Sequence, residues 1–309
     1  MDIKFKSQFP FYEVWYGKLN IDTQRAFWFR YTLLHGQHQE SALWALFFDQ
    51  DKITYQKKSF ILENIRLSSD EIHLPQGKLT HSLCKGELPH IKWTLSYKNR
   101  GGSFDPIPPL LKLLHLTQSH THTPMIDLEF SGTIEVENNI HTFQKARGMI
   151  GHVWGKKQAH AWAWAHCNHF KESQDIIFEG LSGEIQIFKK TLKPLTSLYL
   201  KWNGKEYYFN TLMHLFKTSS SYGYGFWNFT ATHPEIILEG KIKSLPQNIA
   251  QVQYTDTDGS TLYCYNSKKA NLELTLCNRK NHQKMTLHAE HTAALEWVTR
   301  TPMMERSRL

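Results

Sequence analysis

The sequence predicts an all-β protein built in two halves. Three observations carry that expectation. Short alternating or aromatic-rich segments recur along the chain, separated by polar turn signals. Few stretches show helical periodicity. At 309 residues the chain also exceeds the size at which one core keeps growing, which points to two domains of about 150 residues.

In chain order the strand candidates are 11–18, 26–34, 42–48 and 91–97, followed by 126–136, 176–188, 197–202, 206–210, 235–242 and 251–254. The last are 260–266, 271–277 and 285–299. Leu74-Pro75-Gln76-Gly77, Asn203-Gly204 and Asp256-Thr257-Asp258-Gly259 supply turns between them. Strands at this spacing suit barrels or sandwiches. One helix is expected over 103–118, SFDPIPPLLKLLHLTQ. Its prolines fit a first turn, Ser103 or Asp105 lies near the entry, and leucines surround most of it. The strand pattern lapses over 140–157, so domains 1–145 and 146–309 are expected.

Composition narrows the function classes. Hydrophobic residues at 40% and charged residues at 21% describe a folded globular chain. The formal charge of +8 is spread over short pairs such as Lys57-Lys58, Lys156-Lys157 and Lys268-Lys269. That is the pattern of a solvated surface, and no nucleic-acid motif accompanies it, so no nucleic-acid partner is expected. The four cysteines lie far apart with no CxxC pair, so a disulfide framework is not expected. The N-terminus lacks the apolar core of a signal peptide, and no run of apolar residues is long enough to span a membrane. A cytoplasmic location is the expectation.

The chemistry-bearing stretch is GHVWGKKQAHAWAWAHCN, residues 151–168. Read as a strand, 159–170 splits into two faces. His160, Trp162, Trp164, His166, Asn168 and Phe170 share one, and Ala159, Ala161, Ala163, Ala165, Cys167 and His169 share the other. A helix is the competitor, because alanine favours it and Trp162, His166 and His169 share helical spacing. Each buried tryptophan contributes about 2–3 kcal/mol, so the large face must be covered by core, by the other half or by a ligand. An aromatic wall with a few polar groups is what an apolar-ligand pocket requires, although an aromatic seam with hydrogen-bonded histidines fits the same residues. Gly151 and Gly155, flanking His152 and Trp154, allow a bend or a close backbone approach.

Other constellations are weaker. His120 and His122 share a face, but no third ligand is spaced for a metal and no HExxH occurs, so no metal is expected. No GxSxG, P-loop or GxGxxG occurs, and no cofactor is expected. Glu13 and Arg30 lie on adjacent predicted strands among Tyr12, Tyr16, Trp28 and Tyr31. An ion pair between them would fix strand register or anchor the polar end of a ligand.

YEVWYGKLN followed by RAFWFRYTLL, then GHVWG with WAWAHCNHF, resembles the lipocalin-like superfamily of AttH-type proteins, carotenoid 1,2-hydratases (hydroxyneurosporene synthases) and tocopherol cyclases. YTDTDGSTLYCYNSKKANLEL and the closing TAALEWVTR are similar to its C-terminal half, so the likeness runs along the chain. The resemblance implies two tandem lipocalin-like (calycin-type) antiparallel β-barrels with few short helices. It also implies an apolar small-molecule ligand such as a polyene, prenylated quinol or polyketide. The hydratases and cyclases protonate an alkene and let water or an internal hydroxyl capture the cation. By this resemblance His152 and Trp154 would lie in the pocket. The hydratases use a carboxylic acid on the following strand, where this chain has Trp162, Trp164, His166 and Asn168 and no Asp or Glu.

Two functions follow as expectations. One is a cofactor-independent cyclase, hydratase or isomerase, with His152 or His166 as proton donor or orienter and Trp154, Trp162 and Trp164 stabilising the cation. The other is a carrier of an isoprenoid or lipid with the same walls and no chemistry. In both, Tyr16, Trp28, Arg30, Glu13 and Asn168 join the binding residues.

Overall fold

The structure is a computed structural model and describes residues 2–6, 8–113, 117–184, 186–187, 190–191 and 193–303. Its first sheet comprises β1 (Phe11–Asn20), β2 (Arg25–His35), β3 (Gln39–Asp49), β4 (Lys52–Phe60), β5 (Arg66–Ser68), β6 (Glu71–Leu74), β7 (Gly77–Thr80), β8 (Leu83–Leu88), β9 (Ile91–Asn99), β10 (Ser119–Val136) and β11 (Asn139–Gly155). These lie in the order 4-3-2-1-11-10-9-8-7-6-5.

After β12 (Ala161–Cys167) and β13 (Ile177–Glu184), the strands β14 (Gln186–Ile187) and β15 (Lys190–Thr191) form a separate ribbon. There follow β16 (Leu195–Trp202), β17 (Lys205–Phe209), β18 (Ser219–Gly223), β19 (Phe226–Thr232), β20 (Ile236–Lys243), β21 (Ala250–Thr255), β22 (Thr261–Asn278) and β23 (Lys284–Thr299). The second sheet runs 17-16-13-12-23-22-20-19-18, with β21 paired to β22. The described helices are α1 (Pro109–Leu113) and α2 (Leu212–Lys217), and α2 is capped by Thr211.

The chain is therefore all-β, with two curled antiparallel sheets, each wrapped around its own core. Phe27, Phe29, Phe47, Trp93 and Phe130 fill the first, and Phe178, Leu198, Trp227, Leu274 and Leu295 fill the second. A third cluster lies between the sheets, where Trp28, Trp44 and Phe48 meet Val252, Tyr254 and Val298. This explains why β2 is buried along nearly its whole length. Alternate residues face two different cores, so both faces are covered.

The alternation read in the 159–170 stretch is present in β12. Ala163, Ala165 and Cys167 face the second core, while Trp162 and Trp164 face the seam. Gly155 makes the close approach its type allows, because a Cβ there would meet the carbonyl oxygen of Gln118 at 2.2 Å.

Three expectations are corrected. The 140–157 stretch is not a break but the body of β11, paired with β1 and β10. Its outer end stands on a hairpin with Ile140 and Gln144 exposed, so burial does not impose a clean alternation there. The boundary between 145 and 146 falls inside this strand, and the sheets change over between Gly155 and Ala161.

Of the helix expected over 103–118, the described residues show Pro109–Leu113, with 103–108 not helical and 114–116 outside the described residues. Asp105, Ile107 and Pro108 each precede a proline and are pushed toward extended backbone, and Phe104 just before them pairs with Thr123 as a β-bridge. Residues 119–125 belong to β10. The short strands β4 to β8 had no counterpart among the candidates, because their sequences are polar and their turns close together.

Candidate functional site

The seam holds a pocket of about 110 Å³, walled by aromatic and apolar side chains with a few polar groups among them. From the first sheet, Tyr12, Val14, Tyr16, Trp28 and Arg30 line it, with Ser119, Thr121 and Val153 beside them. From the second sheet come Trp162, Trp164, Leu181, Tyr254 and Glu296. Strand alternation puts these residues here. Tyr12, Val14 and Tyr16 are the β1 positions that face away from the first core, and Trp162 and Trp164 are their β12 equivalents. Gly151 lies directly across from Tyr16, and a Cβ there would meet the phenol ring at 2.5 Å. Tyr16 then meets Trp164 edge-on across the seam, with ring centres 5.5 Å apart.

A layer of buried polar side chains lies behind Trp164 of the pocket wall. Glu179 on β13 shares a strand face with Leu181 and is buried to within 3%. Its Oε1 accepts from Trp164 Nε1 at 2.9 Å and from Thr123 Oγ1 at 2.7 Å, while Oε2 has no protein partner. Burial raises this carboxyl to about 7, against the pull of both hydrogen bonds and of the Lys18 charge. Beyond it, Asn168 donates to Asp127 at 2.9 Å and to the Gly148 carbonyl at 2.8 Å, and Arg147 pairs with Asp127. Lys18 is fully buried, donates to Asn20 at 3.0 Å, and is pushed down to about 8 by that burial.

His166 belongs to this layer. Its Nε2 lies 2.9 Å from the carbonyl oxygen of Ile126, which can only accept, so Nε2 carries the hydrogen. Burial, reinforced by the charge of Lys18, holds its pKa well below the ordinary range, so the ring is neutral near pH 7. On the second-sheet wall, Glu296 Oε2 lies 4.0 Å from the fully buried Nζ of Lys268 and accepts from Asn266 at 3.4 Å.

The residues singled out from the sequence separate into three groups. Tyr16, Trp28, Arg30, Trp162 and Trp164 line the pocket together. Asn168 and His166 stand behind it in the polar layer. Glu13, His152 and Trp154 lie on the opposite face of β1 and β11, toward the interior of the first sheet. There His152 Nε2 meets Glu13 Oε1 at 2.7 Å, and its ring stacks on Trp15 and Trp154 with centres 5.0 and 4.5 Å away. Glu13 also accepts from the backbone of Lys4 and Phe5, so it is fully engaged.

The expected Glu13–Arg30 ion pair is therefore absent. Tyr16, not Glu13, is the register partner of Arg30, and an odd and an even position of paired strands face opposite sides. Sequence reasoning missed Glu179, Tyr254, Glu296 and Lys268. The available signal was a carboxylate inside an apolar strand, as in IIFEGL and AALEWV. Among the described residues no cluster of three or more His, Cys, Asp or Glu is placed to hold a metal ion, and no helix is long and apolar enough to cross a membrane.

Comparison with known proteins adds the lineage. Over 205 residues the chain is 22% identical to the uncharacterized protein Rv0493c of Mycobacterium tuberculosis, a match that takes in 66% of this chain and 61% of that protein. Two solved structures share the fold, each with a TM-score of 0.57. One is provisionally named AttH, from Nitrosomonas europaea, at 12% identity, covering 94% of this chain and 92% of that one. The other is kievitone hydratase from Nectria haematococca, at 10% identity, covering 94% and 89%. The model of the tocopherol cyclase-like family matches residues 89–297, most of the chain, and with the shared fold this places the protein in the tocopherol cyclase-like family.

Proposed function

We propose that the seam pocket binds a largely apolar small molecule and that Glu179 protonates it, making the chain a cofactor-independent cyclase, hydratase or isomerase. One observation carries this reading. A carboxyl with a pKa of about 7 is hydrogen-bonded to Trp164 of the aromatic pocket wall, one strand over from where an acid was missed in the sequence. A carboxylic acid kept protonated by its surroundings is the group that alkene protonation needs.

The proton leaves a Glu179 oxygen and forms a C–H bond at one alkene carbon, leaving a cation at the other. The faces of Trp162 and Trp164 stabilise that cation. Water or a hydroxyl of the ligand adds to it and releases a proton, which returns to Glu179. Membership of the tocopherol cyclase-like family and the fold shared with kievitone hydratase support the same reaction class. His152 and Trp154, which face the first sheet's interior, have no place in this scheme.

The test is a panel of prenylated quinols and polyenes incubated in D2O, with products read by mass spectrometry. Wild type is expected to place one deuterium on carbon, and Glu179→Gln to lose at least about 100-fold in rate, the usual worth of a general acid. Tryptophan fluorescence should still report ligand binding by the variant. Unchanged turnover by Glu179→Gln would sink the acid assignment. Binding with no deuterium uptake by wild type would establish the carrier reading instead.

A further inference from the structure

We infer that the ligand of the seam pocket carries a carboxylate and that Arg30 receives it. This rests on the pocket reading above and names the ligand's polar end. Arg30 lines the pocket and is only 7% exposed. A buried guanidinium is ordinarily matched by an acid, because an unpaired buried charge is costly. The other buried arginine follows that rule, Arg147 with Asp127, as does the less buried Arg300 with Asp256. Arg30 does not. Its Nε donates to Thr32 Oγ1 at 3.1 Å, and its Cζ lies over the rings of Tyr254 and Trp44, 3.8 and 5.6 Å from their centres.

Stacking offsets part of the burial but occupies no N–H. The carboxylate on the pocket wall, Glu296, accepts instead from Asn266 at 3.4 Å, with Lys268 Nζ 4.0 Å away. The wall therefore presents a surplus cation with its terminal nitrogens unengaged. Two further pocket-lining groups, Trp28 Nε1 and Tyr254 OH, are buried without a protein partner. The unengaged terminal nitrogens form the fork that matches a planar carboxylate in two parallel hydrogen bonds. The ligand class is thus an amphipathic organic acid, with the apolar body against the tryptophans and the acid at Arg30.

The experiment compares cis-parinaric acid with its methyl ester, titrated against the full chain and followed by quenching of tryptophan fluorescence. Wild type is expected to bind the acid at least about tenfold more tightly than the ester, the worth of one charge-assisted pair. Arg30→Gln should abolish that preference, and Arg30→Lys should retain part of it. Equal affinity of wild type for acid and ester overturns the carboxylate assignment and leaves the pocket reading standing. Failure of both probes to bind overturns the two together. The wild-type comparison decides the matter even if Arg30→Gln does not fold.

Discussion

At the scale of single residues, the seam buries groups that a stable interior would avoid. Glu179, Lys18 and Lys268 are each displaced toward the uncharged form by desolvation. For Glu179 the sign is clear. A carboxyl raised in the folded state contributes stability that is complete below its unfolded pKa and is lost as pH rises through about 7. Glu179→Gln keeps an acceptor for Trp164 and Thr123 but has no proton to lose. Its melting temperature should therefore gain on wild type between pH 5 and pH 8, with most of the gain appearing as pH approaches 7. Thermal denaturation at the two pH values checks this, and a constant difference would contradict a raised carboxyl. The same substitution is expected to lose turnover, the usual trade between stability and activity.

At the scale of elements, β12 serves two cores with its two faces, and substitutions should separate accordingly. Ala163 is fully buried in the second core, so Ala163→Leu overpacks it and is expected to cost about 1–3 kcal/mol in urea denaturation. Trp162 is part-exposed on the pocket side. Trp162→Ala should weaken binding of an apolar ligand more than it lowers stability. If instead Ala163→Leu spares stability and impairs ligand binding, the faces have been assigned the wrong way round. The alternation of large and small residues made this division legible in advance. Strand β11 was not legible, because polar residues such as His141, Gln144 and Lys145 sit where no core demands a pattern.

At the scale of the molecule, an apolar seam joins the two sheets. Trp28, Trp44 and Phe48 face the second sheet, and hydrogen bonds cross the seam from Asn20 to the Lys268 carbonyl at 2.8 Å and from Asn168 to the Gly148 carbonyl at 2.8 Å. A fragment ending at Gly155 would expose that apolar face, so it is expected to aggregate when expressed alone. The whole chain should unfold in one transition, with near-ultraviolet circular dichroism and intrinsic fluorescence coinciding. A soluble, folded fragment, or two separate transitions, would show that the sheets are independent.

The sequence by itself determined the all-β class, the strand periodicities, the two-sided character of β12 and the tryptophans that form the wall. Those follow from local rules, because a period of two and the burial value of an aromatic ring do not depend on which strand lies alongside. Only the tertiary structure decided which face met which partner. It set His152 and Glu13 on the interior side of the first sheet, left Arg30 without its expected carboxylate, and brought Glu179 beside Trp164 and Thr123. The reason is physical. Register between strands distant in sequence is set by packing and twist of the whole sheet, and one residue of register reverses every side chain's direction. The acid missing from the strand carrying WAWAHCN stands on its neighbour, opposite His166, a relation that no spacing along the chain encodes.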